Sequence, residues 1–326
     1  MTLYDLCTAR PSVLAIPLVG YPGVHLTGTT IKQNVQQPAV HWQTMQALYE
    51  RFQPDGLFCL MDLSVEAGAL GLDVLFADMD SPTVSEHPVK TAADLERFRG
   101  CDILADARLQ GFVAAVRHMA VELDTLVGGY VIGPFSLAGL LLGATEAVMA
   151  TITEPELLQA TLRLATDAIK PYVRALEAAG ADMVAILEPS GSLLAPYQFE
   201  TCCGAYVREI VAEMQGASIL HICGQTTHLL DAMAATGAQG LSLDAMVSLP
   251  DAAARLPSEL VLIGNLDTVQ VLGQKGPREV YRAASDLIAA MAPHRNFVLS
   301  SACDLPPETA HENIDALLQA ARDARG

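Results

Sequence analysis

The chain has 326 residues, of which 51% are hydrophobic and 17% are charged, so it has ample apolar material for a large core and too little charge to be disordered. Its formal net charge is −18, and only 19 Lys and Arg residues are spread along it, which argues against nucleic acid and anionic membrane surfaces as partners. A sequence of this length commonly folds as one α/β barrel, so we expect a single domain over residues 1–326.

The first residues do not have the pattern of a signal peptide or of a membrane-spanning helix. Asp5 precedes the apolar run, Arg10 is the only basic residue before it, and Pro17 interrupts it. Further along the chain, apolar stretches are broken by a charge, Gly or Pro before they reach about 18 residues. We therefore expect a cytoplasmic protein.

Eight short apolar or β-branched runs recur along the chain, and helical patterns lie between them. Continuous apolar runs are typical of buried parallel strands, and strands that alternate with helices indicate βαβ units. Eight such units close into a (β/α)8 TIM barrel, which is the predicted fold. The alternative is a doubly wound open sheet, but no glycine-rich dinucleotide motif follows the first run. The runs are residues 12–18, 56–62, 128–134, 182–188, 218–223, 240–244, 260–267 and 297–304.

The region between the first two runs contains few strand signals. Residues 25–38 are mostly polar, and residues 39–52 have a helical pattern. We interpret residues 1–55 as including an N-terminal extension that caps part of the barrel mouth. A long connection at 77–98 follows the second run, with Thr91 as the predicted N-cap of a helix. Helical spacing also predicts helices at 145–179, 196–214, 226–235 and 277–291.

The strongest candidates for chemistry are at the ends of predicted strands. His221 and Cys223 are two residues apart on one strand, so their side chains face the same side, and active sites of barrels form at the carboxyl ends of strands. Cys303 ends the last predicted strand and supplies a third soft ligand. One His and two Cys leave a fourth position open, as in catalytic zinc sites. The alternative is that these residues are core packing, which is the commoner role of a lone His-X-Cys pair or a strand-end cysteine.

From about residue 56 to residue 326 the sequence resembles the uroporphyrinogen decarboxylase superfamily, and in particular its corrinoid-linked methyltransferase branch. The His-X-Cys motif at 221–223 together with CDLPPXT at 303–309 is the specific signal, whereas GNLD and GPF mark only the superfamily. The segments that carry the resemblance, including these motifs, are residues 61–76, 87–98, 133–143, 221–244, 264–267 and 303–321.

The resemblance implies that His221, Cys223 and Cys303 bind Zn²⁺, which activates the thiol of a methyl acceptor. The donor would be a methylcorrinoid, usually held by a corrinoid protein, and the acceptor a small thiol such as coenzyme M. Two alternatives stay open: tetrahydrofolate as acceptor, and a lyase of the decarboxylase type. Decarboxylase members carry an Arg-rich N-terminal motif, whereas residues 17–30 contain no Arg. Gln225 and His228 also depart from the residues common in the methyltransferase branch, which leaves the identity of the acceptor open.

Five acidic residues complete the candidate site. Glu188 ends a predicted strand and could fill the open zinc position, or cap a strand end through hydrogen bonds. Asp62 and Glu66 match a pocket segment of the superfamily and are expected to contact the cofactor, although Asp62 could instead cap a helix. Asp244 and Asp267 end predicted strands and could line the same cavity or bond loop amides.

Overall fold

The computed structural model describes residues 2–9 and 12–324. Its strands are β1 (Leu14–Ala15), β2 (Gly56–Phe58), β3 (Val74–Leu75), β4 (Thr83–Val84), β5 (Leu126–Ile132), β6 (Met183–Leu187), β7 (Ala217–Ile222), β8 (Gly240–Leu243), β9 (Val261–Leu266) and β10 (Phe297–Ser301). The main sheet has eight parallel strands in the order β1-β10-β9-β8-β7-β6-β5-β2, and β3 pairs with β4 in a separate antiparallel ribbon. Each of the eight predicted runs overlaps one strand of the main sheet.

The first and last strands of this order meet, which closes the sheet almost completely into a barrel. Asp55 donates its backbone N–H to the Ala15 carbonyl at 3.1 Å, and the Asp55 carboxylate accepts the Ala15 N–H at 2.9 Å. The predicted (β/α)8 barrel is therefore confirmed.

Helices surround the barrel and fill the connections between its strands. One predicted helix, 145–179, is in fact two, because Pro155 occupies the first position of a new helix after a non-helical Glu154. The helices are α1 (Leu3–Thr8), α2 (Gly23–Thr27), α3 (Ile31–Gln36), α4 (Pro38–Phe52), α5 (Val65–Ala69), α6 (Ala107–Glu122), α7 (Pro134–Leu142), α8 (Ala144–Thr153), α9 (Pro155–Ala178), α10 (Pro196–Phe199), α11 (Ala205–Val211), α12 (Leu230–Ala234), α13 (Leu249–Arg255), α14 (Pro277–Met291) and α15 (His311–Asp323).

Residues 20–54 are the loop and helix of the first βα unit rather than a segment outside the barrel. Helix α4 packs on the outer surface against α6 and α15. The loop before it does cover part of the mouth, since the Tyr21 hydroxyl lies 2.7 Å from the Met61 carbonyl and 3.0 Å from Ser81 Oγ. The cap expected from the sequence is thus built from a barrel loop.

Helix α1 lies at the opposite end of the barrel. Leu3 donates its N–H to Gln239 Oε1 at 2.9 Å, and a Cβ at Gly240 would come within 2.7 Å of the Leu3 side chain. Above it, the inward side chains enclose a small apolar cavity of about 20 Å³, with His221 and Ser242 among its lining residues. The barrel interior is a packed core, so chemistry is confined to the mouth.

Among the described residues, none of the individual helices is both long and apolar enough to cross a membrane. Helices α7 and α8, which are bent by 102° relative to each other, meet that criterion of length and composition only when taken together.

Candidate metal centre and active site

His221 is held between two neighbours on the inner face of the barrel. The parallel register pairs it with Ser242 on β8. Its side chain is 3% exposed, with Nδ1 2.9 Å from Ser242 Oγ and Nε2 3.7 Å from Cys303 Sγ. When Nδ1 carries the proton and donates it to Ser242, Nε2 keeps a lone pair that faces Cys303.

Cys223 and Cys303 form a thiol pair beside this imidazole. Hydrogen bonds from Cys303 and His221 lower the pKa of Cys223 to about 5. The same contact with Cys223, together with burial, raises the pKa of Cys303. The pair therefore favours one thiolate and one thiol. The structure places His221, Cys223 and Cys303 beside one another at the carboxyl ends of β7 and β10.

The spacing of His221 and Cys303 is close to that of two ligands in a tetrahedral zinc site. Zn–N of about 2.0–2.1 Å and Zn–S of about 2.3 Å put two such ligands about 3.6 Å apart. The observed Nε2–Sγ distance of 3.7 Å agrees with this value. As the side chains stand, residues 2–9 and 12–324 contain no group of three His, Cys, Asp or Glu that could hold a metal ion. The donor chemistry and the His221–Cys303 separation fit zinc, whereas convergence of all three ligands on one ion would need the side chains to move.

Two residues on β8 and just after it support the cluster. Asp244 accepts the N–H of Gly224 at 2.9 Å and the N–H of Met246 at 3.0 Å, which fixes the turn that follows Cys223. Gly224 has φ +86°, a conformation that favours glycine. Asp244 was among the candidates expected from the sequence, whereas Ser242 was not, although Ser242 is the only polar residue in β8 and lies two positions before Asp244.

Glu188 lies next to this region but its side chain is directed elsewhere. Glu188 directly follows β6 and is fully buried, and its carboxylate reaches the start of α7. There Oε2 accepts a hydrogen bond from the Phe135 N–H at 2.9 Å, and Oε1 accepts hydrogen bonds from the Ser136 N–H at 2.6 Å and from the Ser136 hydroxyl. Burial raises its pKa to about 7, against the opposing effect of these hydrogen bonds. Both carboxylate oxygens of Glu188 already accept hydrogen bonds, which disfavours the role of zinc ligand as the side chains stand. The groups that it bonds belong to the start of helix α7 and not to the strand end considered in the sequence-based alternative.

The remaining acidic candidates have separate partners. Asp62 is buried and accepts a 2.6 Å ion-pair contact from Arg108, which is itself largely buried. Glu66 Oε1 accepts the Ile132 N–H at 2.8 Å, and Oε2 has no hydrogen-bond partner within the described part of the chain. Asp267 accepts backbone N–H groups of the turn that follows it. Asp267 therefore bonds loop amides, the second of the two roles considered for it.

An open cavity of about 370 Å³ adjoins Cys303 at the barrel mouth. It lies between the loop after β1, the segment around Met61, the tip of the β3–β4 ribbon and the segment after β10. Its lining residues are Tyr21, Ile31, Met61, Leu63, Met79, Asp80, Ser81, Pro82, Cys303, Asp304, Leu305, Pro306 and Pro307.

The curated relatives include two named activities. Methylcobamide:CoM methyltransferase MtbA of Methanosarcina acetivorans is 26% identical, over 94% of this chain and 94% of the relative. The MtbA of Methanosarcina mazei is 29% identical, over 81% of this chain and 78% of the relative. A uroporphyrinogen decarboxylase of Xanthomonas axonopodis pv. citri is 31% identical over a shorter match, 71% of this chain and 68% of the relative.

Solved structures confirm the fold. A methyltransferase from Methanosarcina mazei superposes with a TM-score of 0.90 at 23% identity, over 98% of this chain and 97% of that one. A B12-independent methionine synthase from Shewanella sp. has a TM-score of 0.63 at 11% identity, over 96% of this chain and 97% of that one. The profile of the uroporphyrinogen decarboxylase (URO-D) family matches residues 23–324, so this chain belongs to that family.

Proposed function

We propose that the protein transfers a methyl group from a methylated corrinoid to a small thiol, with His221, Cys223 and Cys303 as the ligands of a zinc ion. The observation that carries the proposal is that the His221 imidazole interacts with two thiols, Cys303 and Cys223, at the barrel mouth. The two MtbA relatives are methylcobamide:CoM methyltransferases, which supports the same reaction class.

The chemistry needs a thiolate acceptor at neutral pH. A free thiol has a pKa of about 8.5 and is mostly protonated there. A zinc ion held by these residues would lower the pKa of an acceptor thiol that binds to it, and would keep that sulfur as a nucleophile. Cys223 and Cys303 as thiolates would cancel the formal charge of the dication, so that the acceptor sulfur retains more electron density.

The protein's own groups orient the reaction. With the proton on Nδ1, His221 donates to the Ser242 hydroxyl, and its free Nε2 lone pair is directed towards Cys303. Asp244 holds the turn after Cys223. The methyl–cobalt bond breaks as the methyl–sulfur bond forms, the electron pair stays on cobalt, and the thiol proton passes to water. The loop of Tyr21 covers part of the mouth and limits the access of water to the reduced corrinoid.

Exposed apolar side chains around the mouth favour a corrinoid that is carried by a protein. They lie in segments that follow three different barrel strands or in the β3–β4 ribbon, and exposed apolar side chains grouped at one end of a barrel are typical of a docking surface. These side chains are Leu75, Met79, Leu193, Met246 and Val269. We expect Met246→Asp to slow methyl transfer from a corrinoid protein more than transfer from free methylcobalamin.

The test uses zinc-loaded protein, methylcobalamin and one candidate acceptor at a time. With coenzyme M or another small thiol, we expect the absorption spectrum to change from methylcobalamin to cob(I)alamin or its oxidised form. Cys303→Ser should abolish turnover, whereas Cys101→Ser, which removes an exposed thiol outside the cluster, should not. Circular dichroism would show that both variants keep the fold.

Other outcomes separate the alternatives. Turnover with tetrahydrofolate alone would keep the methyl donor and reject the thiol acceptor. Release of carbon dioxide from uroporphyrinogen, with no reaction of methylcobalamin, would show that the protein is a decarboxylase and would reject the proposal. The lack of Arg in residues 17–30 leaves the substrate carboxylates of that reaction without partners in this segment.

A further inference from the structure

The cavity beside Cys303 is walled mainly by apolar side chains. Eight of its thirteen lining residues are apolar, and the part of the lining that the structure describes contains no Lys, Arg or His. Its volume of about 370 Å³ is in the range of small-molecule sites, roughly 300–1,000 Å³, and suits a small acceptor rather than the much larger corrinoid. Because Cys303 is in its wall, a molecule in this cavity would lie against a proposed zinc ligand.

The carboxyl group of Asp304, which also belongs to the lining, does not offer its oxygens to an occupant. Its Oδ1 accepts the N–H of Leu305 at 3.0 Å. Its Oδ2 is buried and faces the backbone of Gly20, where an added Cβ would lie 3.7 Å from this oxygen. Asp304 therefore does not provide a polar contact for a molecule in the cavity.

The other polar side chains of the wall already have partners within the protein. The Tyr21 hydroxyl donates to the Met61 carbonyl at 2.7 Å and lies 3.0 Å from Ser81 Oγ. Asp80 Oδ1 accepts the Ser81 N–H at 2.8 Å, and Asp80 is exposed to water at the tip of the β3–β4 ribbon. An anionic group that entered the cavity would therefore lose hydration and gain no compensating charge.

Two basic residues near this region do not supply that charge as the side chains stand. Arg108 contacts Asp62 and Ser64 through the same guanidinium nitrogen, at 2.6 and 2.7 Å. Lys32 follows Ile31 in the chain, but it is not among the lining residues. The cavity thus combines an apolar wall with a thiol at one side.

We propose that the acceptor is a thiol whose far end is uncharged and apolar, rather than a thiol that ends in an anion such as sulfonate. The inference rests on the proposed methyl transfer to a thiol and specifies the class of that acceptor. The sulfur would lie towards Cys303, and burial of the far end among side chains such as Leu63 and Leu305 would favour binding. The methyl–sulfur bond forms as the methyl–cobalt bond breaks, the electron pair stays on cobalt and the thiol proton goes to water, so no further reactant is needed.

Three thiols with the same two-carbon spacer test this inference: 3,3-dimethylbutane-1-thiol, 2-mercaptoethanesulfonate and 2-mercaptoethylamine. The tert-butyl group of the first has nearly the shape of the sulfonate, so this pair differs mainly in charge. Each thiol is given to the zinc-loaded protein with methylcobalamin at matched thiolate concentrations, and kcat/KM is measured from the corrinoid spectrum. We expect the tert-butyl thiol to exceed each charged thiol by about tenfold or more. Calorimetry without methylcobalamin should give the same order of affinities, independently of turnover.

Variants connect the preference to the cavity. Leu63→Arg and Met79→Arg each add a cation to the lining, so each should lower the ratio of tert-butyl thiol to sulfonate in both assays. Met79 is 37% exposed, so its variant keeps the test valid if the change at Leu63 harms folding. Val121→Arg is the matched control, because it adds the same charge at a residue of α6 that is 78% exposed and outside the lining.

The two proposals fail in different ways. A sulfonate or an amine that binds and reacts as well as the tert-butyl thiol would overturn the acceptor inference and leave thiol methylation intact. Lining variants that change only the KM of methylcobalamin would also overturn it, because the cavity would then belong to the methyl donor. Absence of reaction with all three thiols would overturn the proposed function and the inference with it.

Discussion

The substitution Ser242→Ala tests whether His221 is a metal ligand through Nε2. In the structure the Ser242 hydroxyl is 2.9 Å from His221 Nδ1, and both side chains are buried, at 4% and 3% exposure. Without this hydrogen-bond partner the imidazole is free to rotate or to change tautomer. Mutation of the hydrogen-bond partner of a metal-binding His typically lowers metal affinity by about 10–100-fold. We therefore expect zinc to bind about 10–100-fold more weakly, which corresponds to about 1.4–2.7 kcal/mol.

The assay is competition for zinc against a chromophoric chelator, with thermal unfolding as a measure of stability. Ser218→Ala is the matched control, since Ser218 is 2% exposed on the neighbouring strand β7 and its hydroxyl accepts the Gln239 N–H at 3.1 Å. Both variants should lose about 1 kcal/mol of stability, but only Ser242→Ala should lose zinc affinity. Equal zinc affinity in the two variants would refute the role of Ser242 and the orientation of His221 that depends on it.

Two further changes test the buried carboxylates. Glu188→Ala removes the acceptor of the Phe135 and Ser136 N–H groups. We therefore expect urea unfolding to show a free energy of unfolding lower by about 2–4 kcal/mol, while zinc binding is retained. Loss of zinc with unchanged stability would instead identify Glu188 as a ligand. Burial raises the pKa of Glu66 from its usual 4.5 to about 8, so the folded state binds the extra proton between those values and stability falls as pH rises from 4.5 to 8. Glu66→Gln should therefore gain stability relative to the wild type as pH rises from 5 to 8, and a difference that does not change with pH would contradict this assignment.

The positions of all eight barrel strands could be predicted because buried parallel strands are continuous apolar runs, and this signal is local. The role of residues 20–54 could not, because a helix pattern such as that of α4 does not show whether the helix packs outside the barrel or over its mouth. That depends on the contacts of α4 with α6 and α15, which are far away in sequence.

The difference between a local sequence signal and contacts that are distant in sequence also decides which features of the site could be predicted. The two-residue spacing of His221 and Cys223 put them on one face, and the strand end at Cys303 put it at the same edge of the barrel. The partner of Glu188 could not be predicted, since it is set by the approach of α7 to the end of β6. Ser242 was missed because its importance comes from the register of β8 against β7, which pairs it with His221.

The most direct test of the central claim is zinc K-edge X-ray absorption of the zinc-loaded protein, before and after addition of an acceptor thiol. We expect about one zinc per chain, with one nitrogen ligand from His221 and two sulfur ligands from Cys223 and Cys303 at about 2.3 Å, and a third sulfur once the thiol is added. A protein that binds no zinc, or a zinc spectrum with no sulfur ligands that stays the same when the thiol is added, would contradict the account.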